Sequence, residues 1–359
     1  PAFEVELAED TTWSCPHGLE RWRADCGCRT DPETTQRWRA PLREAVGWLV
    51  GQLAERFERV GGEVLRDPWT ARNEAVDLVD GAAGTTEGFL RRHALRRDDA
   101  GRRTALTVLE MQRQALLMQS SDGWFFDDAA NAETAQILAH AARAIELAGP
   151  DGPRLEEGLL SFLRRAPGNT GRYPHGAAVY EQLVRPRAIS ARRAAAIYAV
   201  TTLFDAPSPT LSGEITVSGL DRSAATSGGH TLAVGRVHVR QARTAEDEDV
   251  AVAVVHFGGH EVHCAVAAGW TDEHYTDVRT ALLDRLGRDV LSEVVRALDA
   301  AFGSDALTLN DLPVEDRRAV LDRITQSSLE HLADTYRRLY QDTRPLMAYL
   351  REAAAPIPA

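Results

Sequence analysis

Two segments decide the fold of this chain: residues 102–119, RRTALTVLEMQRQALLMQ, and residues 130–148, ANAETAQILAHAARAIELA. Each segment carries two apolar stripes at helical spacing. In the first segment the stripes are formed by Leu106, Leu109 and Leu116, and by Val108, Met111, Ala115 and Met118. Helices that are apolar on more than one side lie at the centre of a bundle. The pattern therefore predicts two buried helices joined by a short turn.

The turn between these helices, residues 120–128, reads SSDGWFFDD. It places aromatic rings among carboxylates on a loop that a rigid scaffold would hold, which is where binding sites usually lie. A sugar offers an apolar ring face and a rim of hydroxyls, so the pattern indicates a carbohydrate site. We predict that Trp124 and Phe125 stack on sugar rings and that Asp122 and Asp127 accept hydrogen bonds from hydroxyls.

Two other interpretations of the turn remain open. Asp127 or Asp128 could cap the helix that begins near residue 130, with Trp124 and Phe126 as core residues. Alternatively, two of the three carboxylates Asp122, Asp127 and Asp128 could act as the acid and nucleophile of a glycosidase, which must lie about 5–5.5 Å apart in a retaining enzyme.

The wider pattern predicts a mainly α fold, a helical bundle with a small antiparallel β domain, α+β overall. Alternating residues 3–7 predict a short strand, and alternating segments between 214 and 266 predict four or five strands with turns at Gly228-Gly229 and Gly258-Gly259. Helices are expected at 37–60, 68–80, 86–97, 102–119, 130–148, 153–165, 174–185, 188–204, 272–302, 314–340 and 344–354.

Breaks in the pattern divide the chain into four parts. They are a strand and Cys/His/Trp loop at 1–36, the bundle at 37–205, the β domain at 206–270, and C-terminal helices packing on the bundle at 271–359.

Composition excludes two classes of partner. The 359 residues carry a net charge of −12, which argues against nucleic acid because phosphate binding needs a basic face. No apolar run approaches the ~20 residues of a membrane span. With few cysteines and no visible signal peptide, we expect a cytoplasmic protein.

Three of the four cysteines cluster near the start of the chain. The pattern Cys15-x-His17-x8-Cys26-x-Cys28 supplies three thiols and an imidazole, enough for a closed tetrahedral zinc site. Zinc knuckles usually have two residues between cysteines and this pattern has one, so buried reduced thiols or a disulfide of Cys15 with Cys26 or Cys28 remain alternatives. We expect no other cofactor.

Two further groups of residues invite a functional interpretation. Arg21 and its neighbouring arginines could pair with the carboxylates of the 120–128 turn. His256, His260, His263 and Cys264 could form a second metal site, with His256 and His260 or Glu261 as cross-strand neighbours. Ordinary sheet and turn histidines are the simpler interpretation.

Several motifs resemble one known region. They are TWSCPHGLERW at 12–22, DCGC at 25–28, WRAPLR at 38–43, GWFFDD at 123–128 with ET at 133–134 and AARAI at 141–145, and LP at 312–313 with DR at 316–317. Together they resemble domain of unknown function 3536, which follows the catalytic domain of proteins similar to glycoside hydrolase family 57. The resemblance extends over essentially the whole chain.

The resemblance implies a retaining enzyme that hydrolyses or transfers α-glucosidic bonds. Family 57 places its catalytic carboxylates in a β/α barrel, and a following helical domain completes the substrate cleft. No barrel pattern is visible here, so we expect the carboxylates upstream of Pro1 and no activity from this chain alone. The implied partners are an α-glucan or oligosaccharide and an upstream barrel. Trp13, His17, Arg21 and Trp22 would line the cleft. A stand-alone carbohydrate-binding or interaction module, stabilised by zinc, is the alternative.

Overall fold

The computed structural model describes residues 6, 9, 11–12, 15–78, 85–188, 190–206, 215–288 and 290–353. Apart from residue 6, the predicted strand at 3–7 lies outside the described residues, as does Trp13. The predicted fold class is confirmed, because the chain is mainly helical with a four-stranded antiparallel sheet and a two-stranded one. None of the described helices combines the length and apolar composition that a membrane span requires.

The chain forms two compact units. The first comprises Pro1–Ala188 with Gln241–Glu246, and the second comprises Ile189–Arg240 with Asp247–Ala359. The helices of the first unit are α1 (Arg39–Val64), α2 (Pro68–Glu74), α3 (Thr85–His93), α4 (Asp99–Leu117), α5 (Ala132–Leu147), α6 (Gly152–Leu163) and α7 (Gly176–Val179). Most of them match the predicted segments to within a few residues.

Helix α1 shows why this unit forms a bundle. Leu42, Leu49, Leu53 and Phe57 recur at spacings of four or seven residues, and each is buried. This spacing puts them on one helical face. That face packs against α4 and α6, and α4 packs in turn on α5. The prediction of two buried helices around the turn is therefore confirmed, although Leu116, at the end of α4, is exposed.

The first unit also contains a short hairpin and an irregular helix that the sequence pattern does not predict. Strands β1 (Pro167–Thr170) and β2 (Tyr173–His175) pair antiparallel. The next predicted helix is only α7, continued by a π-helical turn at Tyr180–Val184. Asn169 in β1 reaches the 120–128 turn, as described below.

The second unit is a sheet covered on both faces. It contains α8 (Ala191–Leu203), β3 (Ile215–Ser227), β4 (His230–Gln241), β5 (Glu246–Gly258), β6 (Glu261–Ala268), α9 (Asp272–Gly287), α10 (Leu291–Phe302) and α11 (Val314–Glu352). The strands lie in chain order. Alternating residues of β5 face opposite sides: Val252 and Val254 pack with α8 residues, and Ala253 and Val255 pack with α9 and α10 residues.

A glycine turn connects β5 to β6 and sets the positions of the nearby histidines. Gly258 and Gly259 have positive φ and connect β5 to β6, as predicted. However, His256 lies opposite Val262, and Glu261 lies opposite Gly258. The predicted pairing of His256 with His260 or Glu261 is therefore wrong, since the tight turn shifts the register.

Helix α11 is one element where the sequence analysis predicted two. Pro345 lies inside it, and proline removes one backbone N–H bond from a helix. Residues 344–346 are exposed or nearly so, so water can satisfy the freed carbonyl of Gln341. Conversely, the predicted helix at 272–302 is two helices, α9 and α10.

Candidate functional site

The cysteine loop, residues 15–28, is shaped by tight turns. Gly18 begins a 3-10 turn, Gly18–Trp22, with φ +65°, and its N–H donates to the Cys15 carbonyl at 3.2 Å. Gly27 has φ +78°, a conformation that glycine adopts without strain. Its N–H donates to Asp25 Oδ1 at 3.1 Å. The turn at Gly27 brings the thiols of Cys26 and Cys28 to the same point.

The four predicted metal ligands lie together. Cys15 Sγ is 3.8 Å from the sulfurs of both Cys26 and Cys28, and 3.6 Å from His17 Nδ1. Cys28 Sγ is 3.4 Å from the same nitrogen. All four donor atoms lie within 4.8 Å of one another. All three cysteines are free thiols, so the structure does not form the alternative disulfide.

Four of the six separations, at 3.4–3.8 Å, are close to the edges of a tetrahedral zinc site. With Zn–S bonds of about 2.3 Å and Zn–N bonds of about 2.0–2.1 Å, two sulfurs lie about 3.8 Å apart, and a sulfur and a nitrogen about 3.6 Å apart. Cys15 is buried, Cys26 and Cys28 are half-buried, and His17 is exposed. In the part of the chain that the structure describes, no other group of three or more such residues could hold a metal, the histidines near 260 included.

The pKa values of Cys15 and Cys28 are shifted in opposite directions. Burial raises the pKa of Cys15, but hydrogen bonds from the His17 backbone and ring, and from Cys28 and Cys26, outweigh it and lower the pKa to about 6. Burial and the two neighbouring thiols raise the pKa of Cys28. Cys15 therefore carries a negative charge at a lower pH than Cys28 does, and the thiolate is the form that binds metal.

A buried arginine faces the cluster. Arg39, at the start of α1, is fully buried, and its Nη1 lies 3.7 Å from Cys26 Sγ. Its Nη2 donates to the Phe126 carbonyl at 3.2 Å. Burial lowers the pKa of Arg39, with a further contribution from Arg21. Arg39 thus places a cation between the thiols and the 120–128 turn, a role that the sequence analysis did not predict.

The aromatic residues of the turn divide into core and surface. Trp124 is 1% exposed, and its Nε1–H donates to the Arg39 carbonyl at 3.3 Å. Its ring therefore has no free face, as the core interpretation expected. Phe125 and Phe126 are about 40% exposed and meet edge to face at 5.1 Å. Phe126, expected in the core under that interpretation, thus lies on the surface beside Phe125.

Asp127 joins the cysteine loop to the bundle. Its Oδ2 accepts hydrogen bonds from the N–H groups of Thr30 and Asp31 at 2.7 and 2.8 Å. Its Oδ1 accepts one from Gln36 Nε2 at 3.1 Å. The hydrogen bonds to this carboxylate come from backbone amides and a glutamine, while Arg39 interacts with it only through its charge. Its two oxygens are occupied by structural contacts.

Asp128 and the Asp127 carbonyl hold the β1–β2 hairpin. Asp128 accepts from the N–H groups of Ala130 and Asn169 at 2.7 and 2.9 Å. The Asn169 amide donates to the Asp127 carbonyl at 2.7 Å. The predicted capping of α5 by an aspartate is wrong, because Asn131 occupies the N-cap position. Asp128 closes the turn just before it.

The remaining predicted site residues lie on the cysteine loop and at the tip of the turn. Arg21 Nη1 donates to the Phe125 carbonyl at 2.8 Å, and its guanidinium lies 5.2 Å from the centre of the Phe125 ring. Trp22 is half-buried against the bundle core. Asp122 is exposed, with a contact to Ser120 Oγ at 3.3 Å. The structure therefore brings Arg21 and Phe125 together at one surface.

Most of the chain, including the 120–128 turn, matches a known protein family. Residues 35–313 match a family described as a domain of unknown function, DUF3536. The chain belongs to the DUF3536 family. The match begins after the cysteine loop, so it includes the 120–128 turn but not the four metal-capable residues. No curated protein and no solved structure matches the chain. The DUF3536 match does not itself connect the chain with glycoside hydrolase family 57, so that connection stays a prediction.

Proposed function

We propose that Cys15, His17, Cys26 and Cys28 hold a structural zinc ion. The observation that carries the proposal is the set of donor separations, 3.4–3.8 Å for four of the pairs, which matches tetrahedral zinc. Four protein ligands leave no open position for water or substrate, and closed sites of this kind stabilise a fold instead of catalysing a reaction.

The charge of the surroundings supports the same proposal. Three thiolates and one neutral imidazole around Zn²⁺ leave one net negative charge. Arg39, which contacts Cys26 Sγ at 3.7 Å, supplies a positive charge at that point. Groups that contact the ligands of a metal in this way orient them and tune the site. The zinc would stabilise the cysteine loop, residues 15–28, and Asp127 of the 120–128 turn binds the backbone just after that loop.

Metal analysis of the purified chain tests the zinc proposal. We expect one zinc ion per chain and a melting transition that shifts downward when a chelator removes it, because binding energy at a structural site is folding energy. A metal-free protein whose melting temperature is indifferent to chelator would contradict the proposal. Addition of zinc to the chelated protein should restore the transition, which separates metal loss from irreversible damage.

We propose, second, that the surface held by this loop contacts an α-glucan. Phe125 and Phe126 offer exposed rings, with Arg21 beside them and the exposed carboxylate of Asp122 nearby in the chain. This combination of apolar faces and hydrogen-bonding groups suits a sugar. The role would be that of the cleft-completing C-terminal portion of a family 57-like retaining hydrolase or glucanotransferase, whose catalytic carboxylates lie upstream. A stand-alone carbohydrate-binding module is the alternative.

Titration with maltooligosaccharides tests this second proposal. Phe125→Ala and Phe126→Ala should each weaken binding about tenfold, the loss of about 1.4 kcal/mol that one aromatic contact accounts for. Leu95→Ala, which removes another exposed apolar side chain of the same unit, should leave binding unchanged. If Phe125→Ala and Phe126→Ala bound the sugars as tightly as wild type and Leu95→Ala do, the proposal would be contradicted. The chain alone should not hydrolyse the sugars, and hydrolysis that depended on Asp122 or Asp127 would place the chemistry here.

A further inference from the structure

Helix α11 extends far beyond the core that anchors it. Val320 is buried and Ile324 packs against the cluster formed by α8 and the sheet. Beyond them, every residue from 325 to 342 is exposed. The segment from 325 to the end of the helix at 352 spans about 42 Å at 1.5 Å per residue. A helix of this length is normally stabilised by packing an apolar face against something.

The exposed part of α11 carries such an apolar face. Leu329, Leu332, Tyr336, Leu339 and Leu346 follow one another at intervals of three, four, three and seven residues. This is the spacing of a coiled-coil seam, in which the interval of seven skips one position. Thr343 occupies that position. Each of the five side chains is 50–69% exposed. The opposite face is polar, with Glu330, Asp334, Arg337, Arg338 and Arg344.

We propose that this face, the α11 seam, is the interface with a second copy of the chain. The five side chains, together with the adjacent Tyr340, which is 65% exposed, offer roughly 700 Å² of surface if a fully exposed side chain has about 200 Å². Two copies would therefore bury roughly 1,400 Å², which lies within the range of specific, stable interfaces, about 1,200–2,000 Å².

The residues beside the seam favour self-association. The flanking positions hold Ser328, Ala333, Thr335, Tyr340, Asp342 and Met347. Asp342 is the only charged residue among these six, so two copies meet without a row of opposing like charges. A second copy also repeats the same intervals, which lets side chains of each helix fit between those of the other. Pro345 lies outside the seam and does not interrupt it. A symmetric dimer follows, in which both copies use the same surface.

Sedimentation equilibrium of the full chain tests the dimer. At concentrations from about 1 to 100 µM the protein should sediment at twice the monomer mass of 39.3 kDa. The double variant Leu332→Glu, Leu339→Glu puts two charges into the seam and should raise the dissociation constant at least about 100-fold, because unpaired charges are strongly disfavoured in a buried interface. The control Gln341→Glu, Ala348→Glu puts the same charges on the outer face and should remain dimeric.

Circular dichroism shows whether the seam variant is still folded, so that loss of the dimer can be distinguished from loss of the fold. The double-glutamate variant should retain a folded, cooperatively melting protein, since the exchanged side chains are exposed in the single chain. A wild-type protein that is monomeric at 100 µM would overturn the proposal, whether the seam is bare or covered by another part of the same chain. So would a dimer that withstands the seam variant. The dimer should also persist in chelator, which separates it from the zinc site.

Discussion

Cys15→Ala is expected to lower the zinc affinity of the chain about 100- to 1000-fold and to shift its melting temperature towards that of the chelated wild type. Structural zinc sites bind with about 10–16 kcal/mol from four ligands. One ligand therefore corresponds to about 2.5–4 kcal/mol, which is about two to three factors of ten in affinity. Cys15 is the ligand with the largest expected effect, because its sulfur contacts the other three donors. Competition with a calibrated zinc indicator measures the change.

Cys264→Ala is the matched control for this prediction. Cys264 is also a free, buried cysteine, but it lies in β6 of the second unit, with its sulfur 3.9 Å from the Ala196 carbonyl. Its loss can affect the packing of the sheet and α8, but the zinc content should remain one per chain. If both variants bound zinc as wild type, the cluster at residues 15–28 would not be the metal site.

Helices of the first unit could be predicted because their apolar residues recur over many turns. The hairpin at 167–175 could not, since it is only a few residues long and contains prolines and glycines without alternation. Strand β3 extends to Ser227, well past the alternating segment at 214–217 that predicted it, through mostly polar residues that alternate between exposed and half-buried. The break predicted between residues 340 and 344 does not occur, and the exposed helix α11 continues through Pro345. Local sequence rules thus fail where solvent satisfies the backbone.

The metal cluster of the candidate site could be predicted from the sequence, but the long-range contacts around it could not. The spacing of three cysteines and one histidine was enough to propose the metal cluster, because a chain segment of fourteen residues can bring its own side chains together. Arg39 was among the arginines expected near the turn, but its contact with Cys26 had no such signal, and neither did the contacts of Gln36 and Asn169. Gln36 and Asn169 contact Asp127 across separations of 91 and 42 residues, and only the packing of the bundle creates those contacts. The opposite placements of Trp124 and Phe126 likewise follow from the tertiary fold.

Asp127→Ala is expected to destabilise the first unit by about 3 kcal/mol. The carboxylate accepts three hydrogen bonds, and a hydrogen bond to a charged group is worth about 1.5–3 kcal/mol. Water can replace the contacts of the exposed Thr30 and Asp31 in part. Gln36, however, is fully buried, and its Oε1 has no hydrogen-bond partner, so its amide would lose the partner at Nε2. Chemical denaturation with zinc present measures the loss.

The comparison with Asp122 and with asparagine distinguishes a structural role of Asp127 from a chemical one. Asp122→Ala removes an exposed carboxylate and should change stability by no more than about 0.5 kcal/mol. Asp127→Asn keeps an acceptor oxygen and should recover part of the lost stability. Because Thr30 lies two residues beyond Cys28, Asp127→Ala should also weaken zinc binding about 10–100-fold, as the loss of a group supporting a metal site does. A carboxylate whose only task was substrate chemistry would leave both stability and zinc affinity unchanged. Wild-type values of both for Asp127→Ala would therefore return Asp127 to the list of candidate sugar-contacting or catalytic groups.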